Sequence, residues 1–128
     1  MKKLLFILLA ALLFTACGQA KENDREETYM NITAAEAKEI MDSQKGYIIL
    51  DVRTQEEYDE GHIPGAVLIP NTELEDRAEE NLPDKDQLIL VYCRSGRRSK
   101  MAAEILAELG YTNVKEFGGI LDWPYEVE

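Results

Sequence analysis

Histidine and cysteine are scarce in this chain, with one of the first and two of the second among 128 residues. That leaves no Cys and His set for a zinc site of any familiar form, and no metal or other cofactor is expected. Long apolar runs are nearly absent too. The one such run, Leu4 to Phe14, has eleven residues. A helix needs about 20 to span a bilayer, so this run is too short to do so. Positive charge is also in short supply: 14 Lys and Arg face 25 Asp and Glu, a formal net charge of −11. So acidic a body repels polyanions, which excludes nucleic acid and bare anionic lipid as partners.

What the N-terminus does contain is the layout of an export signal. Lys2 and Lys3 precede the apolar run, and Thr15-Ala16-Cys17 follows it. Small residues directly before a cysteine resemble the lipobox of bacterial lipoproteins, where the cysteine sulfur is acylated and becomes the new N-terminus. That family usually has Leu three residues before the cysteine. Here Phe14 stands there, with Leu13 one step further back. The resemblance implies a lipoprotein signal over residues 1–16 and a lipid on Cys17. The protein would then be exported and held by acyl chains on the extracytoplasmic face of a bacterial membrane. The alternative is an ordinary secretory signal in which Cys17 is incidental. Residues 17–29 are polar and charged without apolar period, and read as a flexible tether. Residues 30–128 are enough for one domain with one core.

Within that domain, two capping-box spacings mark helix starts: Thr33 with Glu36, and Thr54 with Glu57. The first predicts a helix over 34–43 and the second a short helix ending at Gly61. Tyr47 to Val52, Ala66 to Ile69 and Gln87 to Tyr92 are short apolar runs, as expected of strands buried on both faces of a parallel sheet. Asn71 is a candidate cap for a polar helix reaching Asn81. Ala102, Ile105, Leu106 and Leu109 make an apolar stripe that Gly110 ends, and Val114 to Phe117 is a last strand. The alternation predicts an α/β fold, a parallel sheet of about five short strands with helices on both faces. Asp51, the turn after Ile69, and Cys93 all fall at strand carboxyl ends. Such ends are where ligands bind in these sheets. A monomer is expected.

The segment Cys93-Arg94-Ser95-Gly96-Arg97-Arg98-Ser99 carries the chemistry. It joins a strand to a helix and places a cysteine at a helix N-terminus among three arginines. Backbone N–H groups, the helix dipole and the guanidinium charges all favour a thiolate, so a lowered pKa and a nucleophilic Cys93 are expected. Arg94, Arg97, Arg98 and Lys100 are the one dense basic cluster, which suggests a small anionic ligand. A buried structural cysteine is the plainer alternative, but it has no need of this charge.

Four segments together resemble a single rhodanese domain. They are Asp51-Val52-Arg53 with Glu57-Tyr58; Gly61 to Ala66 with Ile69-Pro70; the loop Cys93 to Ser99; and Gly118-Gly119 followed by Trp123. The resemblance implies sulfur transfer. A sulfane sulfur moves from a small anionic donor such as thiosulfate to Cys93, and the persulfide then yields it to cyanide or a thiol. Loop residues Arg94, Ser95, Gly96, Arg97, Arg98 and Ser99 would bind the substrate. Their amides would stabilise the sulfur anion, and Ser99 would cap the next helix. Asp51 and Arg53 would support the loop. A sulfur-carrier or binding module serving a partner protein is the alternative within this family. Phosphatases and arsenate reductases with a similar loop need Arg after five intervening residues, where this chain has Ser99. His62 reads as structural, Trp123 as closing the core, and Glu56, Glu57, Asp59 and Glu60 as a solvated face. A pairing of Arg53 with Glu57 would lock the turn.

Overall fold

Residues 28–128 are described by the computed structural model. The signal segment, Cys17 and the tether as far as Glu27 lie outside the described residues. Both capping boxes form. The Thr33 hydroxyl accepts the Glu36 N–H at 3.0 Å, and Glu36 accepts the Thr33 N–H at 2.9 Å. Thr54 and Glu57 make the same exchange. In chain order the elements are β1 (Met30–Asn31), α1 (Ala34–Ser43), β2 (Ile48–Asp51), α2 (Gln55–Glu60), β3 (Val67–Leu68), α3 (Leu74–Asn81), β4 (Ile89–Cys93), α4 (Arg97–Glu108) and β5 (Val114–Gly119). Short 3₁₀ turns cover Asn71–Glu73 and Ile120–Asp122.

All five strands are parallel, in the order β1-β5-β4-β2-β3. β4 is central and all five of its residues are buried. Successive side chains of a strand point to opposite faces, so the sheet sorts its residues into two cores. One holds Leu50, Ile89, Val91, Cys93 and Val114 against Leu74 and Ala78 of α3 and Ala102, Ala103 and Leu106 of α4. The other holds Ile49, Leu90, Tyr92 and Phe117 against α1 and Trp123. Each fully buried Leu or Ile stabilises the fold by roughly 1.5–3 kcal/mol. Trp123 is buried against Phe117 and closes the second core.

Four features differ from the sequence reading. Strand β1 is not signalled at all: it is two residues long and exposed, and only its pairing with β5 defines it. Tyr29, read as tether, packs against the first core. β3 is an edge strand with Val67 exposed, not a strand buried on both faces. Asn71 does not cap α3. It opens the 3₁₀ turn after Pro70, and its buried Oδ1 has no hydrogen-bond partner among the described residues.

His62 has the structural role expected of it. Its ring stacks on Tyr58 with centroids 3.8 Å apart and planes 4° from parallel, and Nδ1 lies 3.0 Å from the Tyr58 carbonyl. His62→Ala is expected to lower unfolding free energy by about 1 kcal/mol. Sulfur transfer should change by less than about threefold, since the ring's contacts run to Tyr58 and Glu128 and not to the Cys93 loop. Urea melts and steady-state rates on one preparation check both halves.

Candidate active site

The reactive loop leaves the carboxyl end of β4 and enters α4 within three residues. Gly96 makes that turn possible with a φ of +108°, a left-handed conformation disfavoured for any residue with a Cβ. Gly119 matters for a different reason. A Cβ there would lie 2.6 Å from Ser95 Cα and closer still to the Arg94 carbonyl. The loop therefore lies directly on β5, and the Leu121 N–H donates to the Arg94 carbonyl at 3.1 Å.

Cys93 is only 1 % exposed. One loop N–H, that of Gly96, donates to Sγ at 2.9 Å, where the sequence reading expects several amides. Ser99 Oγ lies 3.5 Å from Sγ. The N-cap of α4 is Gly96, three residues before the expected Ser99, so Ser99 sits inside the first turn and does not cap the helix. Its hydroxyl, fully buried, meets the Gly96 carbonyl at 3.0 Å and a carboxylate oxygen of Glu116.

The arginines divide their tasks. Arg94 and Arg97 are exposed. Arg98 turns to α2 and donates twice to Glu57, at 2.9 and 3.0 Å. Arg97 and Arg98 stand in the first turn of α4, where the helix dipole opposes positive charge by roughly 0.3–1 kcal/mol each. Glu57 offsets part of that opposition. So Glu57 is not merely a solvated residue, and it does not pair with Arg53. The Arg98 hydrogen bonds, opposed by burial and helped by the Thr54 N–H and hydroxyl, lower its pKa to about 2. A carboxyl held below its unfolded value of about 4.5 contributes stability in full above that pH. The contribution is lost as pH falls from about 4.5 towards 2. Stability of the wild type should therefore fall over this window, and Glu57→Gln should flatten that part of the curve. Thermal melts at half-unit pH steps test this.

Asp51 pairs with Arg53 and with no loop arginine. The guanidinium donates to its carboxylate at 2.7, 2.9 and 3.1 Å, and the Arg53 N–H at 2.9 Å. Tyr92 Oη donates to Asp51 at 2.6 Å and accepts the Ile63 N–H at 3.1 Å. Burial, with the bond to Asp51 adding to it, pushes the Tyr92 hydroxyl pKa well up. Burial opposes the Arg53 charge, yet the bonds and attraction of Asp51 leave its pKa raised. Arg53 also donates to the Gly61 carbonyl at 2.8 Å. This network shares a sheet edge with Cys93 but lies on the opposite face. It fixes the ends of β2 and β4 and the segment after α2. Tyr92 and Glu116 were missed as site residues. The signal for Glu116 was a charge at the same inward alternation as Val114.

A cleft of about 390 Å³ opens beside the loop. Arg53, Glu57, Arg94, Ile120, Leu121 and Trp123 are among its lining residues, and Cys93 is not. The sulfur therefore lies under the loop and not at the cleft floor.

Residues 33–125 match the family model described as a rhodanese-like domain. The chain belongs to the rhodanese family. Among its relatives is thiosulfate sulfurtransferase PspE of Escherichia coli, 45 % identical over 73 residues that cover 57 % of this chain and 70 % of PspE. The putative sulfur carrier protein YrkF of Bacillus subtilis is 37 % identical over 116 residues, covering 90 % of this chain and 62 % of YrkF. A solved rhodanese with anions from E. coli superposes with a TM-score of 0.61 at 40 % identity, over 64 % of this chain and 96 % of that one. The parallel five-stranded sheet with helices on both faces is the rhodanese fold. The protein is a rhodanese-type sulfurtransferase, with Cys93 as its nucleophile and persulfide carrier.

Proposed function

We propose that the donor is thiosulfate and the acceptor cyanide or a small thiol. The observation that carries this reading is the sulfur of Cys93 at a strand end with the Gly96 N–H aimed at it, beneath a rim of exposed Arg94, Ser95 and Arg97. Arg94 and Arg97 hold the sulfonate of the donor, and the Ser95 hydroxyl adds a donor at the rim. Arg98, kept charged by Glu57, adds field without being free to follow the ligand. In the first half-reaction Cys93 Sγ attacks the sulfane sulfur, the donor S–S bond breaks, and sulfite leaves with its electron pair. The Gly96 N–H stabilises anionic sulfur in the way an oxyanion hole stabilises oxygen. In the second, the acceptor attacks the outer sulfur and Cys93 recovers the electron pair, so ping-pong kinetics follow. PspE, a thiosulfate sulfurtransferase, supports this choice of donor.

The second reading is a sulfur carrier that hands its persulfide to a partner protein, and the likeness to YrkF favours it. Thiosulfate and cyanide discriminate the two. Thiocyanate formed over many turnovers supports the free enzyme. A single added sulfur on Cys93, seen by mass spectrometry without turnover, supports the carrier. No added sulfur and no thiocyanate would sink both.

The same proposal places the domain outside the cytoplasm as a monomer, tethered by a lipid on Cys17. The motif from Lys2 to Cys17 supports the tether. Labelled fatty acid incorporated by the wild type but not by Cys17→Ala is the expected result. Unlabelled, freely soluble wild type would overturn it.

A further inference from the structure

We propose that Glu116, acting through Ser99, takes up the proton that leaves Cys93 when its sulfur attacks. The proposal rests on the sulfurtransferase reading and deepens it. Glu116 is a charged residue only 2 % exposed, inside β5 and paired with Val91, two residues before the nucleophile on β4. Val114 packs in the same core as Cys93, and alternation along β5 turns Glu116 to that face as well. Its Oε2 accepts from Ser99 Oγ and from the Gly118 N–H at 2.9 Å. Ser99 has one hydroxyl proton, and the carboxylate is the strongest acceptor within reach of it. Its lone pairs are then left to face Sγ, and the Cys93 thiol donates to Ser99 Oγ at 3.5 Å. The bonds run in one direction, from sulfur to hydroxyl to carboxylate.

The groups that surround this chain suit that direction. Lys100 of α4 brings its ammonium within 3.9 Å of the other carboxylate oxygen and counters the charge. Cys93 is the titratable group contributed by β4. Tyr29, ahead of β1, packs against the same core, and α3 presents apolar Leu74 and Ala78 to it. No arginine of the loop hydrogen-bonds to the sulfur, and Arg98 is committed to Glu57. The hydroxyl and carboxylate beside the buried sulfur give its proton an outlet.

The step balances. The Sγ–S bond forms as the donor S–S bond breaks, and the leaving group takes that electron pair. The Sγ proton passes to Ser99 Oγ as the Ser99 proton passes to Glu116 Oε2. When the acceptor bonds to the outer sulfur, the Sγ–S bond breaks with its electron pair left on Sγ, the sulfurated acceptor departs, and Glu116 returns its proton through Ser99 to the thiolate. Glu116 is thus a positioning residue that acts through Ser99, and Ser99 is the group in contact with sulfur.

Two rates test this in the wild type, Glu116→Gln, Glu116→Asp and Ser99→Ala, between about pH 5.5 and 9. One is single-turnover persulfide formation from thiosulfate. The other is alkylation of Cys93 by iodoacetamide, which needs no sulfur donor. At about pH 6, Glu116→Gln and Ser99→Ala should lower both rates roughly tenfold or more. The gap should close at high pH, where hydroxide removes the proton directly. Glu116→Asp should recover part of the loss, and the Ser99→Ala/Glu116→Gln pair should be no worse than either alone. Faster alkylation in Glu116→Gln, or a loss equal at every pH, would overturn the relay. If the Gln variant does not fold, Ser99→Ala cuts the same chain and decides alone. Wild type that ignores thiosulfate but shows the alkylation pattern would refute the donor and support the relay.

Discussion

Cys93→Ser is expected to lower sulfur transfer by about a thousandfold or more while leaving the fold intact. The oxygen is nearly isosteric with the sulfur, and the Gly96 N–H can still donate to it, so the loop keeps its shape. The chemistry does not survive. A hydroxyl gives up its proton far less readily than a thiol, and oxygen cannot carry a sulfane sulfur as a stable covalent intermediate. Thiocyanate production and mass spectrometry measure the loss directly. Residual turnover above a tenth of wild type would mean that the sulfur passes between donor and acceptor without touching this residue. A melting temperature far below wild type would instead mean that the buried thiol holds the core together.

The second large effect lies on the other face of the sheet. Asp51→Ala is expected to cost about 3–5 kcal/mol of unfolding free energy. Asp51 is fully buried and Arg53 is 4 % exposed, so removing the carboxylate leaves a guanidinium charge without a partner and the Tyr92 hydroxyl without its acceptor. A domain of this size has about 5–15 kcal/mol in total, so the variant should sit near the edge of unfolding. The neighbouring charge explains the size of the effect. Asp51→Leu combined with Arg53→Met should regain much of the loss, because an apolar pair of similar volume removes both buried charges together. Urea titrations of the three variants test this. A single-variant loss below about 1 kcal/mol would show that water reaches Arg53 and the network is not the clamp described above. Activity should fall with stability, since the network fixes the end of β4 from which the nucleophile projects.

Features written in local pattern were legible in the sequence. Both capping boxes, the limits of α1 and α2, the loop with Gly96, and the C-terminal Gly118-Gly119 signature depend on residues within a few positions of one another. The nucleophile followed from the same local window. What was not legible depends on distant neighbours. β1 exists only because β5 offers it hydrogen bonds. The exposure of Val67 follows from strand order, which no run of apolar residues encodes. Ser99 looked like a cap because Ser often is one, but Gly96 adopts a left-handed turn and starts the helix earlier. Glu57 was expected to pair with Arg53; Arg53 is instead held by Asp51 within its own turn, and Glu57 by Arg98 of α4, a partner that only the fold brings near. Glu116 lies 23 positions from Cys93, so only the pairing of β4 with β5 could reveal that they share a face.

Tyr92 and Cys93 are adjacent yet project to opposite sides, so β4 works as a partition between two chambers. The anchoring network occupies one and the proton outlet the other, and the outward rim of Arg94, Ser95 and Arg97 belongs to neither. If the rim holds the donor as proposed, selection or a combinatorial library can rewrite it to accept a new sulfur source without touching the buried network that keeps the domain folded.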